Sequence, residues 1–298
     1  MQKIIPHIWL DDQAEEAVDF YVSLFNNSKK GHTDYYDEAS SEVAGKPVGS
    51  ILTIDFTLEN QEFVVINGGP DFSITPAISF FVNCQTKEEI DRLWGTLSEY
   101  GKVLMPLDHY NFSEKYGWIE DKFGVSWQLI LNQLPTQKII PSLLFVGSQS
   151  GKAEEAINFY TTLFENARIE EISRYGAGMA PNEEGTINYA SFTLAGQKFA
   201  AMESAIDHEF TFTEAVSFLV NCETQEEIDY FWNSMSADPE AEQCGWLKDK
   251  FGVSWQIIPQ QLNKLLRDPD PEKSLRVMKV FLQMKKLDLA ALERAYQK

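Results

Sequence analysis

The sequence predicts an α+β chain: a tandem duplication of paired βαβββ units, followed by a C-terminal helical tail. Three observations predict it. Blocks of sequence recur in unchanged order, each copy alternates short apolar runs with amphipathic stretches, and the last segment has a helical pattern unlike either copy. The recurrence is close. "AEEAVDFYVSLF" at 14–25 returns as "AEEAINFYTTLF" at 153–164, and "FTLENQEF" at 56–63 returns as "FTLAGQKF" at 192–199. "ISFFVNCQTKEEIDRLW" at 78–94 returns at 216–232, and "YGWIEDKFGVSWQLI" at 116–130 returns as "CGWLKDKFGVSWQII" at 244–258. Two long copies make a duplicated domain rather than a solenoid. The expected divisions are 1–134, 135–260 and a helical appendage at 261–298, the first boundary falling in the Pro-containing "LNQLPTQK".

Each element follows from pattern. "IIPHIWL" reads as a short apolar strand. In "AEEAVDFYVSLF" the residues Ala14, Ala17, Val18, Tyr21, Leu24 and Phe25 form one helical stripe. "VGSILTIDFTL" and "QEFVVIN" read as a hairpin with Glu59-Asn60 near its turn, and "AISFFVN" as a further strand. "TKEE" and "TQEE" read as capping boxes, in which Thr86 or Thr224 opens a helix and Glu89 or Glu227 reaches back. "GWIEDKFGVSWQLIL" reads as a closing hairpin whose turn contains Gly124, which supplies a conformation that a residue with a Cβ resists. Two such half-units would set their strands side by side as one curved sheet, giving each copy a cup able to hold a ligand. The tail, 274–298, shows strong helical spacing and an excess of Lys and Arg over acids, and is expected to pack on the second domain.

Composition excludes several classes. The chain has 298 residues and a formal net charge of −20 with no basic run, which argues against a nucleic-acid surface. Cys84, Cys222 and Cys244 are far apart, with no CxxC, so neither a disulfide framework nor a zinc knuckle is expected. No run is apolar enough for a membrane span, and the N-terminus lacks a signal-peptide pattern. A cytoplasmic location is expected. There is no GxSxG, P-loop or HExxH, and no glycine-rich loop opening a helix after a strand, as a nucleotide-like methyl donor commonly requires.

The start "IIPHIWLDDQAEEAVDFY", the "NGGP" at 67–70, the "ISFFVNCQTKEEID" block, "GWLKDKFGVSWQII" and the C-terminal "PDPEKSLRVMKVFLQMKKLDLAALERAY" resemble the PhnB-like family. That family is also labelled 3-demethylubiquinone methyltransferase-like and belongs to the vicinal oxygen chelate (glyoxalase/bleomycin-resistance) superfamily. The resemblance implies glyoxalase-like cup-shaped sheets. It also implies four metal-ligand positions per cup, on the first and last strands of each unit. In the first copy these fall at His7, Asn67, Ala77 or Ser79, and Gln128. In the second they fall at Ser142, Glu203, Ala215 or Ser217, and Gln256. Neutral amides and Ala are poor partners for a dication. No cofactor is therefore expected. A divalent metal remains the alternative, with His7, Gln128, Glu203 and Gln256 as candidates.

Aromatic residues support a binding cup. Trp9 is in phase with His7, Ser79 shares a face with Phe81, and Trp118 and Trp246 sit in the closing hairpins. Trp127 and Trp255 are one residue from the Gln and face the helices. The expected ligand-binding set is His7, Trp9, Asn67, Ser79, Phe81, Trp118, Gln128, Glu203, Ser217, Trp246 and Gln256. The reading is a small-molecule binder of unassigned activity. The alternatives are a metal-dependent lyase, isomerase or dioxygenase, and a sequestering resistance protein. The two copies are expected to pair as an internal pseudo-dimer, with further homo-oligomerisation open. Nucleic acid and membrane are not expected partners.

Overall fold

A computed structural model describes residues 2–133 and 137–298, so the expected boundary between 134 and 135 lies outside the described residues. The chain falls into four similar quarters and a tail. The first quarter holds β1 (Ile4–Leu10), α1 (Ala14–Leu24), β2 (Lys29–Tyr35), α2 (Glu38–Ala44), β3 (Ile51–Leu58) and β4 (Gln61–Asn67). The second holds β5 (Ile78–Cys84), α3 (Lys87–Leu97), β6 (Lys102–Tyr110), β7 (Ser113–Glu120) and β8 (Ser126–Leu131). The third holds β9 (Ile139–Val146), α4 (Ala153–Leu163), β10 (Arg168–Arg174), β11 (Ile187–Leu194) and β12 (Gln197–Ser204). The fourth holds β13 (Val216–Cys222), α5 (Gln225–Met235), β14 (Trp246–Lys248) and β15 (Ser254–Pro259). The tail is α6 (Gln261–Leu266), α7 (Pro271–Phe281) and α8 (Leu289–Gln297).

The strands form two sheets. One is seven-stranded in the order β14-β15-β13-β1-β4-β3-β2, and the other eight-stranded in the order β10-β11-β12-β9-β5-β8-β7-β6. Each sheet therefore combines one quarter from the first copy with one from the second, in place of the within-copy cup expected from the sequence. Two compact units result. Unit one is Met1–Ser73 with Thr213–Lys298, and unit two is Ile74–Phe212. They cut across the repeats.

The connection between copies supplies the physical reason. Strand β8 runs parallel to β5, and β9 lies antiparallel against β5's other edge, pairing Ser79 with Ser142. The short link from Leu131 to Ile139 keeps β9 in the sheet of β8, two strand spacings away across β5. The counterpart of β9, strand β1, then pairs with the counterpart of β5, strand β13, in the register His7 with Ser217.

Local chemistry explains the elements. The stripe of α1 buries Ala14, Ala17, Val18, Tyr21 and Leu24, and Tyr21 stacks on Phe56 of β3. The β3–β4 hairpin turns through Glu59 and Asn60, both at positive φ (48° and 64°). Thr86 and Thr224 cap α3 and α5 by accepting from the Glu89 and Glu227 amides. The carboxylates of those Glu reach one residue further back than a capping box requires, to the Gln85 and Glu223 amides. The pattern reading misses β2, β6 and β10. These are edge strands with mostly exposed or half-exposed residues and irregular pairing, so they carry little alternation. Among the described residues copy two has no strand matching β6.

Candidate functional site

Each sheet has two faces. On one, Trp127 packs on Phe80 and Trp255 on Phe218, with α3 and α5 packed against these strands. The other face carries the candidate residues. In unit one, register pairing sets Asp55, Val64, His7 and Ser217 in one row across β3, β4, β1 and β13. Glu62, Leu219, Gln256 and Trp246 lie in the neighbouring rows of the same face. In unit two the corresponding face carries Ser142, Ser79, Phe81, Gln128 and Trp118.

The expected grouping therefore changes. His7 shares a face with Ser217 and Gln256, whereas Gln128 belongs to the other sheet with Ser79 and Ser142. His7 and Gln128, which the resemblance places in one cup, thus lie on different sheets. The choice between Ala and Ser at the third position resolves to Ser217 and Ser79. Gln256 Nε2 donates to Ser217 Oγ at 3.0 Å, and Gln128 Nε2 donates to Ser79 Oγ at 2.7 Å. The glutamines thus bind serine side chains rather than strand-edge backbone.

Two other candidates are committed to the backbone. Asn67 Oδ1 accepts from the Ala14 amide at the start of α1, and its Nδ2 donates to the Ile51 carbonyl. Glu203 does the same job in unit two: its oxygens accept from the Ala153 amide at 2.6 Å and the Ile187 amide at 2.7 Å. Both residues cap a helix start whose amides otherwise lack partners. They tie helix to sheet, which removes them as ligand donors.

What remains suits a metal poorly. Unit one offers one imidazole, one hydroxyl and one amide. Unit two offers two hydroxyls and one amide. Among the described residues no group of three or more His, Cys, Asp or Glu could hold a metal ion. Divalent ions that bind nitrogen and oxygen favour imidazole and carboxylate sets, so the donors here do not fit.

His7 is 4% exposed, and its Nδ1 is buried with no hydrogen-bond partner. Burial pushes its pKa down to about 3. The ring meets Trp246 edge-on at 5.6 Å, and Trp246 meets Trp9 at 6.2 Å. Trp9 is fixed by donating from Nε1 to the Gly69 carbonyl at 2.8 Å and by an edge contact with Phe72.

Unit two's face is built of different material. Phe81, Tyr116, Ile140 and Ala200 form an apolar cluster, with Met105, Tyr110, Trp118, Ile130, Tyr189 and Met202 packed against it. Tyr116 Oη donates to Gln128 Oε1 at 2.6 Å, extending the chain Tyr116–Gln128–Ser79. Burial raises the Tyr116 hydroxyl pKa, and that of Tyr189 is pushed to about 12, chiefly by burial. Both phenols therefore stay neutral at pH 7. Ser142 Oγ, fully buried beside this chain, has no partner. Trp118 donates to Ser126 Oγ at 2.7 Å. Tyr110 and Phe112, from the β6–β7 hairpin, meet Tyr116 edge-on at 5.5 and 5.0 Å. Sequence reasoning missed Tyr116 and the hairpin aromatics because their strand pairing is bulged, and missed Tyr189 because it lies on a strand of mixed burial, paired with Ser173 of the exposed edge strand β10.

The repeated turn has a structural role. Asp121 Oδ1 accepts from the amides of Phe123 and Val125, and its Oδ2 from Trp127 Nε1. Asp249 makes the matching bonds to Phe251, Val253 and Trp255. Gly124 and Gly252 follow at φ of 82° and 89°. Cys84 and Cys222 are buried free thiols pushed to about 12, chiefly by burial.

Comparisons with known proteins agree with this architecture. A family model described as 3-demethylubiquinone-9 3-methyltransferase matches residues 2–130 and again 137–258. A PhnB protein from Bacillus cereus is 43% identical over 44% of this chain and all of its own, with a TM-score of 0.41. Glyoxalase I from Zea mays is 9% identical, covering 85% of this chain and 90% of its own with a TM-score of 0.52, a likeness of fold. No curated protein matches. Among the described residues no helix is long and apolar enough to cross a membrane.

Proposed function

This chain belongs to the 3-demethylubiquinone-9 3-methyltransferase family, and from that premise we propose that it binds a small, uncharged, planar molecule against the strand face of unit two that carries Ser79, Gln128 and Ser142. One observation carries the reading. That face combines aromatic and thioether side chains with the hydroxyl and amide groups of Ser79, Gln128 and Ser142, the carboxylate of Glu171 in the Ser142 row lying out on the edge strand β10, and Ser142 Oγ is buried and unpaired. Aromatic faces favour a flat apolar partner. A buried hydroxyl favours a ligand that brings a carbonyl or hydroxyl to it, since buried polar groups are normally paired. The neutral phenols of Tyr116 and Tyr189 add no charge that an ionic ligand could use.

The reading assigns no reaction. The donors on either face do not suit a metal-dependent lyase, isomerase or dioxygenase. Sequestration of a compound released unchanged is the simplest use of such a face. The free cysteines suit a cytoplasmic setting, and the interlocked copies suit an internal pseudo-dimer.

The experiment is a thermal-shift and tryptophan-quenching series with neutral bicyclic aromatics such as 2-naphthol, alongside their carboxylate analogues. Stabilisation by the neutral members, lost in Gln128→Leu and recovered unchanged after unfolding, is the expected result. A preference for the carboxylates, or no stabilisation by any member, refutes it.

A further inference from the structure

The tail packs on the open face of unit one. Leu262 and Leu265 of α6 cluster with Val277, Leu287 and Leu292, and the same cluster includes Ile258 of β15 and touches Leu219 of β13. Leu219 registers with Ile5 and Gln256, so it shares the face of His7. From α6 the chain delivers Arg267 to the far strands. Its Nη1 lies 2.8 Å from Asp55 Oδ2, and its Nε and Nη2 donate to Asp34 at 3.0 and 2.7 Å. Asp55 stands in the same row as His7. The tail therefore starts on β15 and ends its crossing on β3, four strand spacings away or roughly 19 Å, and on β2 one strand beyond.

Its two sides are held differently. On the β14 side, backbone bonds run from the Cys244 and Gly245 amides to the Met284 and Lys285 carbonyls, and Gln225 clasps Leu287 and Leu289. On the β2–β3 side the polar hold is the Arg267 fork, with Asp34 also facing His32 Nε2 at 3.2 Å and Thr53 Oγ1 at 2.9 Å, and α7 packing on α2.

We infer that the C-terminal helices are a hinged lid over the His7 face, latched by Arg267 on Asp34 and Asp55. Backbone bonding makes the β14 side the hinge. A guanidinium bridging two part-exposed carboxylates makes the other side the releasable one, because planar bidentate pairing is lost as a unit when one partner goes. Release uncovers the apolar surface of Leu219, Ile258, Leu262 and Leu265 and opens the row that ends at His7. The inference is independent of what unit two binds.

The full chain carrying Arg267→Gln, and separately Asp34→Asn with Asp55→Asn, tests it. Nile red reports apolar surface, and iodoacetamide labelling read by peptide mass reports Cys222, buried beneath α5, and Cys244 at the hinge. Both variants are expected to raise Nile red fluorescence severalfold over the parent, Arg267→Lys by less, with Cys222 and Cys244 labelling no faster. Unchanged dye binding in both variants overturns the latch. Labelling of Cys222 that rises with the dye overturns the lid, since tail and sheet would then form one inseparable core.

Discussion

Replacing Glu203 by Gln separates a structural carboxylate from a ligand. The buried carboxylate accepts the Ala153 amide at 2.6 Å and the Ile187 amide at 2.7 Å. In Glu203→Gln one oxygen becomes an NH2, which faces an amide N–H instead of accepting from it. One charge-assisted bond is lost, costing about 1.5–3 kcal/mol, and the orphaned N–H adds about 1–3 kcal/mol. The sum is about 2.5–6 kcal/mol, which at roughly 2–4 °C per kcal/mol lowers the melting midpoint of unit two by about 5–24 °C. Urea unfolding followed by near-ultraviolet circular dichroism, with and without EDTA, is the assay. The loss should be the same in both conditions. A loss of less than about 1 kcal/mol, or one present only before chelation, would refute the reasoning, because the carboxylate would then be serving something other than the two amides.

Three further outcomes are expected. His7 has a folded pKa of about 3, below its unfolded value near 6.5, so the unfolded chain binds the extra proton between those limits. Stability is then intact above about pH 6.5 and falls with decreasing pH. Between pH 7 and 5 the parent should lose about 2 kcal/mol more than His7→Gln in urea titrations. In Asp249→Asn the remaining oxygen still accepts from the Phe251 and Val253 amides, but the NH2 faces Trp255 Nε1, and the lost bond with its orphaned indole N–H should cost unit one about 2–4 kcal/mol by the same titration. In Gly68→Ala the new Cβ would lie 2.1 Å from Trp9 Cε2, so the indole must leave its bond to Gly69. A red shift in tryptophan emission and a loss of about 1–3 kcal/mol are expected.

Much of this was legible in the sequence because it is local. The stripe of α1, the Thr86 and Thr224 caps, the Glu59-Asn60 turn and the outward direction of Trp127 each depend on a few neighbouring residues. Which quarter pairs with which is not local. "IIPHIWL" pairs as well with β5 as with β13 on alternation alone, since both are apolar strands with a Ser in matching place. The candidate site inherits that limit: His7 and Gln256 were both named, yet their partnership depends on the exchange of halves. Asn67 and Glu203 were named for a position, but only the fold shows their side chains turned to the backbone. Arg267 gave no signal at all, because a single basic residue near "RDPDPEK" looks like solvated surface.

The two copies also argue where specificity resides. On the helix-packed face they agree residue for residue: Asp121 with Asp249, Trp127 with Trp255, Phe80 with Phe218, Cys84 with Cys222, in the same bonds. On the open face they part. His7 stands where the other copy has Ser142, Trp9 where it has Leu144, Tyr116 where it has Cys244, and Asp55 where it has Ser191. The shared glutamines keep only their serine bond. Gln128 gains Tyr116 as a donor, while Gln256 has Trp246 beside it in register and the tail on the same face. One face has gained the Tyr116–Gln128–Ser79 chain within an apolar cluster, the other a seat for the chain's own helices with a charged latch. Divergence confined to one face of a common scaffold is what two different occupants would require, since the packed face has only to hold the fold.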